Sequence, residues 1–283
     1  MTSPVAGDRP APPTALTIAG SDSGGGAGLQ ADLRTFFACG VHGLAAVTAV
    51  TVQNTLGVSG FTEIPPEVVA AQIETVATDI GVGAAKTGML ANREIIEAIA
   101  ETCDRVGIGR AHPTPFVVDP VAASMHGDQL LHEKALDALR YDLFPRATLV
   151  TPNLDEVRLL CGVDVRRKDQ LPEAAEAIHA FGPQWTLIKS GHLTADADCV
   201  DLLYDGSAFL ELPGPRFDTR HTHGGGDTMA ASITAALASG AELREAVRFG
   251  KRFVSRSVRD AYPLGSGVGP VSPFWRLAGL DPI

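Results

Sequence analysis

Cysteine is scarce in this chain and its four copies lie far apart. Cys39, Cys103, Cys161 and Cys199 form no C-x-x-C pair, so neither a disulfide framework nor a cysteine zinc site is expected; the spacing suits reduced, partly buried thiols. Long apolar runs are also lacking. No stretch approaches the roughly 20 residues that span a bilayer. The Pro-rich opening, Met1 to Pro13, has no apolar h-region after a basic start, and reads as a disordered tail rather than a signal peptide. A cytoplasmic protein with no membrane partner is expected. Positive charge is short too: 23 Lys and Arg against 33 Asp and Glu leave a formal net charge of −10, which repels a polyphosphate backbone and argues against a nucleic-acid partner. The short basic run Arg166-Arg167-Lys168 lies between apolar segments and reads as a solvated turn. Both standard nucleotide fingerprints are missing, since no G-x-x-x-x-G-K-[ST] lysine and no G-x-G-x-x-G spacing occurs, so a dinucleotide oxidoreductase is disfavoured.

What is present is a chain of 283 residues and 45% apolar content, enough to bury roughly three quarters of its unfolded surface. Short apolar runs alternate with helical patterns. Strands are expected over 15–19, 44–52, 83–88, 116–119, 147–151 and 185–189, and helices over 29–39, 65–78, 93–105, 133–143, 154–161 and 173–181. Strands that read as nearly unbroken apolar runs imply a mainly parallel sheet covered on both faces, an α/β fold. Residues 199–204 and 207–212, split by Asp205-Gly206, read as an antiparallel hairpin, and helices over 227–238 and 243–258 close the chain. With no repeat and no long linker, residues 14–283 are expected to form a single domain.

In an open parallel sheet, ligands bind beyond the carboxyl ends of the strands, and several of these ends are unusual. Gly20-Ser-Asp-Ser-Gly-Gly-Gly-Ala-Gly28 is either a flexible turn or a loop covering a ligand. Thr151-Pro-Asn-Leu-Asp-Glu156 has the spacing of a capping box, in which Asn153 and Glu156 satisfy each other's N–H groups; Glu156 could equally help hold a hydrated Mg²⁺, and the two readings are compatible. Lys189 ends another strand and is either solvated or placed to screen a phosphate. Asp119 is a further strand-end carboxylate, and Gln53 carries an amide able to pair with a heterocycle's amine and ring nitrogen. His221 and His223 lack a third metal ligand and are read as shaping their loop. Beside them, Thr222-His-Gly-Gly-Gly-Asp-Thr228 leads three glycines into a carboxylate just before an apolar run. Bare N–H groups at a helix start attract an anion, and Asp227 either caps that helix or takes a proton from whatever attacks a bound phosphate.

With these pieces in order, the sequence resembles the ribokinase-like superfamily. Within it, the chain is similar to the hydroxymethylpyrimidine/phosphomethylpyrimidine kinases of thiamine biosynthesis. The segments that carry the resemblance are residues 16–32, Val52-Gln-Asn-Thr55, Lys86-Thr-Gly-Met-Leu90, Thr151-Pro-Asn153, 189–192 and 222–228. It implies a three-layer α/β/α fold and ATP- and Mg²⁺-dependent phosphorylation of 4-amino-5-hydroxymethyl-2-methylpyrimidine, then of its monophosphate. Gln53 would read the pyrimidine edge, with Gly20, Met89 and Val121 lining the pocket and Asp32 supporting it. Asn153 and Lys189 would serve ATP, and Glu156 and Asp119 would hold Mg²⁺ through water. Gly224, Gly225 and Gly226 would form the anion hole, with Asp227 as base. A homodimer is expected by the same analogy. One position departs from the family's usual Gly-Thr-Gly-Cys: here it reads Gly224-Gly-Gly-Asp227, closer to sugar and pyridoxal kinases. A pyridoxal-type kinase and a noncatalytic nucleotide-binding regulator are the alternatives.

Overall fold

The structure, a computed structural model, describes residues 10–122, 133–191, 193 and 198–277. Most of the expected N-terminal tail, His192 and the last six residues lie outside these; residues 10–13 have no regular structure and are exposed.

The chain opens with β1 (Thr14–Ala19), α1 (Gly28–Ala38) and β2 (His42–Val47), followed by β3 (Ala49–Asn54), β4 (Gly57–Glu63) and α2 (Pro66–Asp79). Then come β5 (Ala84–Thr87), α3 (Arg93–Val106), β6 (Phe116–Val118), α4 (Glu133–Ala138), β7 (Leu149–Val150), α5 (Leu154–Cys161) and α6 (Leu171–His179). The strands β8 (Trp185–Ile188), β9 (Asp201–Tyr204) and β10 (Phe209–Leu212) precede the helices α7 (Gly225–Ala238) and α8 (Leu243–Arg259).

Eight strands make one sheet in the order β10-β9-β8-β7-β6-β5-β1-β2. It is parallel from β2 to β8, and the hairpin β9–β10 closes it antiparallel. The two faces are separated by the period of two along each strand. On one face Leu16, Ile18, Phe116, Val118, Val150 and Ile188 pack with Ile73 of α2, Ile96 and Ile99 of α3, Leu136 of α4, Val157 of α5 and Ile178 of α6. On the other, Ala84, Val117, Leu149 and Leu187 meet Met229 and Ile233 of α7 and Val247 of α8, while Ala15 meets Phe36 of α1 and Ala231 of α7. The result is the expected three-layer α/β/α arrangement. α7 is buried along most of its length, and α8 comes close because Gly250 has no side chain: a Cβ there would collide with Ile233.

Two expectations need correction. The single strand over 44–52 is two strands. Thr48 interrupts it, donating its N–H to the Ala19 carbonyl and its hydroxyl to the Met89 carbonyl, and β3 then leaves the sheet to pair with β4 as a separate antiparallel hairpin. β4 gave no sequence signal because Gly57 and Gly60 interrupt a short, largely exposed segment. The helix over 133–143 changes to a π turn at Leu139–Leu143, where Arg140 donates to the Leu159 and Leu160 carbonyls at the end of α5.

The chain runs from β1 to β2 on one side and returns to β5 on the other, which puts a switch point between β1 and β5. Open α/β sheets bind ligands in such a crevice.

Candidate active site

The carboxyl ends of β1, β5, β6, β7 and β8 deliver Gly20, Gly88, Asp119, Thr151 and Lys189 to one edge of the sheet. The start of α7 faces this edge. Gly224 has φ of 74°, a left-handed conformation that glycine adopts without steric cost. A Cβ at Gly224 would collide with the Gly26 carbonyl, and one at Gly26 with the His223 ring. The two glycine-rich segments therefore touch backbone to backbone, and side chains are excluded from both. α7 begins at Gly225, so Gly225, Gly226 and Asp227 lie in the first turn, whose N–H groups have no partner within a helix; that of Gly225 donates to the Thr222 carbonyl at 3.1 Å.

Three polar clusters surround this turn. In the first, the Lys189 ammonium donates to Asp119 Oδ1 at 2.7 Å, and the Thr151 hydroxyl donates to the same oxygen at 3.0 Å. Gly226 lies against them; a Cβ there would stand 3.2 Å from Lys189 Nζ. Asn153 and Glu156 form the capping box of α5: Glu156 N–H donates to Asn153 Oδ1 at 2.9 Å and Asn153 N–H to Glu156 Oε2 at 2.7 Å. Burial above all, with Asp119 and Asp227 adding repulsion, pushes the Glu156 carboxyl up to about 8, against the pull of Lys189. Burial disfavours the Lys189 ammonium, yet Asp119 and Glu156 hold its pKa above the usual lysine value.

The second cluster lies beneath Asp227. Lys86 and Asp32 are both fully buried and joined by contacts of 2.8 and 2.9 Å, and the Thr17 hydroxyl donates to Asp32 at 2.6 Å. Lys86 Nζ also stands 3.8 Å from Asp227 Oδ1. Burial raises the Asp32 carboxyl to about 7; Lys86 opposes this and Asp227 adds to it.

In the third, the Asp22 carboxylate accepts from the N–H groups of Gly24, Gly26 and Ala27 and pairs with His223 Nε2 at 2.9 Å. Gln53 Nε2 lies 3.4 Å from the same imidazole nitrogen. His223 thus ties the glycine-rich loop, the β3–β4 hairpin and the approach to α7 together. His221 accepts from Gly269 N–H. Both histidines shape loops, as their spacing suggests.

These distances bring Gly224, Gly225, Gly226, Asp227, Lys189, Asn153, Glu156 and Asp119 around the first turn of α7. Gln53 joins them through His223. Gly20 and Met89 adjoin each other, Gly20 N–H donating to the Met89 carbonyl at 3.1 Å. Val121 lies two residues beyond Asp119, on the loop leaving β6, and donates its N–H to the Asp119 carbonyl at 2.9 Å. Asp32 lies deeper, behind Lys86. A cavity of about 740 Å³ opens beside the turn, lined by Asn153, Lys189, Gly225, Gly226, Met229 and Val254 among others, within the size range of small-molecule and cofactor sites.

Sequence reasoning assigned no role to Lys86 or Asp22. The signal for Lys86 was a lone charge inside Ala84-Ala85-Lys86-Thr87, a strand buried at every position. For Asp22 it was a single carboxylate among glycines.

Chemically, an N–H cradle flanked by a lysine can hold a phosphate. A carboxylate in the same turn can accept a proton from an attacking hydroxyl.

The family model described as phosphomethylpyrimidine kinase matches residues 22–272. A hydroxymethylpyrimidine/phosphomethylpyrimidine kinase of Mycobacterium leprae is 58% identical over 277 residues, covering 94% of this chain and 98% of the relative. A thiamine biosynthesis bifunctional protein of Geobacter sulfurreducens is 45% identical over 257 residues, 91% of this chain and 51% of its own length. Among solved structures, the ADP complex of Bacillus subtilis pyridoxal kinase superposes with a TM-score of 0.85 at 38% identity, covering 94% of this chain and all of that one.

Proposed function

The chain belongs to the phosphomethylpyrimidine kinase family, and from that premise we propose how its own residues carry out the transfer. It is a kinase that uses ATP to phosphorylate 4-amino-5-hydroxymethyl-2-methylpyrimidine and then the monophosphate, in thiamine biosynthesis. The observation that carries the residue assignment is Asp227 in the first turn of a glycine-opened helix, 3.8 Å from the Lys86 ammonium and beside the Lys189–Asp119 pair.

ATP lies in the cavity beside α7, with its terminal phosphates against the Gly224-Gly225-Gly226 turn, where the Gly226 N–H is offered, and the Lys189 ammonium; the Gly225 N–H is held by the Thr222 carbonyl. Asn153 faces the same cavity and serves ATP. In the first transfer, the pyrimidine's hydroxyl oxygen bonds to the γ-phosphorus, its proton passes to Asp227, and the bond to the ADP oxygen breaks as ADP departs. The N–H groups hold charge that develops on the transferring group, at positions fixed before the reaction. In the second transfer the attacking oxygen belongs to a phosphate already ionised, so no base is required. Gln53 orients the pyrimidine edge, and its approach is set by His223. Gly20, Met89 and Val121 line the acceptor side, and Asp32 supports it from beneath.

Glu156 and Asp119 suit Mg²⁺. They are two buried carboxylates near one lysine, and the Glu156 carboxyl is pushed up first by burial and then by repulsion from Asp119 and Asp227, a repulsion that a cation between the carboxylates would relieve. No cluster of three metal-ligating side chains occurs among the described residues; Mg²⁺ commonly binds through one or two carboxylates, waters and the substrate's phosphates. When bound, it supplies charge screening for the phosphates.

The protein acts as one kinase domain over residues 14–283 and works in the cytoplasm; no described helix is long and apolar enough to cross a membrane. It pairs as a homodimer. The exposed Val50, Val52, Leu56 and Phe61 of the β3–β4 hairpin are apolar surface of the kind that marks association.

An ADP-release assay with the hydroxymethylpyrimidine, and with pyridoxal in parallel, tests this reading. Faster turnover of the pyrimidine is expected. Preference for pyridoxal, the acceptor type of the structurally similar B. subtilis enzyme, would overturn it.

A further inference from the structure

Lys86 is among the largest fully buried side chains of the protein, and the transfer as described leaves it unused. A buried ammonium is costly unless paired and hydrogen-bonded. Asp32 provides that pairing, with both carboxylate oxygens within 2.9 Å and Thr17 fixing one of them. The ammonium also reaches past its partner to within 3.8 Å of Asp227 Oδ1. Gly88 lies beside this contact: a Cβ there would sit 3.6 Å from Lys86 Nζ and 3.8 Å from Asp227 Oδ1. Carboxylate, ammonium and carboxylate thus run in order from the core to the site, with the positive charge nearer the substrate than its buried partner.

This order bears on a conflict within the reaction. A neutral alcohol needs a base, which Asp227 supplies. A phosphate monoester needs none and is repelled by the same carboxylate, because like charges a few ångströms apart in a partly dry site interact strongly. We propose that Lys86, kept charged by Asp32, is a positioning residue that offsets the negative charge of Asp227 and so lets one site accept both the alcohol and the anionic monophosphate. The inference rests on the two-step reading above. The Asp32–Lys86 pair is neutral as a unit, so it reshapes the field at the acceptor without changing the net charge of the cluster.

The test is the double variant Asp32→Asn with Lys86→Gln, which removes both charges together and leaves no unpaired ion in the core. Native and variant proteins are assayed with ATP and each acceptor separately. The expected result is a kcat/KM for the monophosphate that falls about tenfold or more beyond any fall for the alcohol, as an unscreened charge demands. A misplaced site would slow both acceptors alike, so an unchanged ratio overturns the proposal. Native protein that fails to phosphorylate the monophosphate at all would sink the two-step reading itself, a separate and recognisable outcome. Asp227→Asn leaves the buried pair in place and gives an independent check should the double variant not fold. The repulsion from Asp227 is then gone while Lys86 stays paired with Asp32, so the KM for the monophosphate should fall; a rise would overturn the proposal.

Discussion

Glu156 serves the fold and, in the proposed function, the chemistry with the same carboxylate. As the third residue of α5 it accepts the Asn153 N–H, and as a buried acid near Asp119 its carboxyl is pushed from 4.5 up to about 8, first by burial. The folded state therefore binds a proton that the unfolded state has released between about pH 4.5 and 8, so stability of the free protein falls as pH rises through that window. Glu156→Gln keeps a cap-forming side chain and removes the titration. It should melt higher than the native protein at pH 8, by roughly 2–4 °C for each kcal/mol recovered, with little difference at pH 4.5, while ATP turnover falls; calorimetry across pH checks the first part. An equal difference at both pH values would contradict it. The capping spacing of Asn153 and Glu156 was legible because it is local. The Lys86–Asp32 pair was not, because its partners are 54 residues apart and spacing along a chain says nothing about depth.

At the scale of elements, the site depends on two glycine-rich turns touching. Gly224→Ala places a side chain at φ of 74° and against the Gly26 carbonyl. It should cost about 1–3 kcal/mol from the backbone conformation alone and raise the KM for ATP, read by melting and by steady-state kinetics; an unaffected KM would show that the cradle does not touch the nucleotide. The alternation of strands and helices was legible because buried parallel strands are continuous apolar runs. The break at Thr48 was not. Its N–H and hydroxyl are satisfied by Ala19 at the end of β1 and Met89 on the loop after β5, and a run of β-branched residues reads the same whether or not it changes sheets.

For the whole molecule, one sheet places five strand ends against α7, while the β3–β4 hairpin stands apart with apolar side chains exposed. Val52 and Leu56 are 64% and 63% exposed. For the proposed homodimer, light scattering should find the native protein dimeric and the variant with Lys at both positions monomeric with its core intact; a monomeric native protein would overturn the proposed pairing, and a dimer that persists in the variant would move the interface elsewhere. The α/β class followed from composition and the order of elements, and the candidate residues gather at strand ends, where open parallel sheets bind ligands. The hairpin's separation from the sheet depended on contacts no local pattern encodes. The central claim, that one site makes two transfers, is tested most directly by mass spectrometry of the products formed from the hydroxymethylpyrimidine, ATP and Mg²⁺. The account predicts a monophosphate that appears first and is converted to the diphosphate; a product that stops at one added phosphate, or a pyrimidine left unmodified, would contradict it.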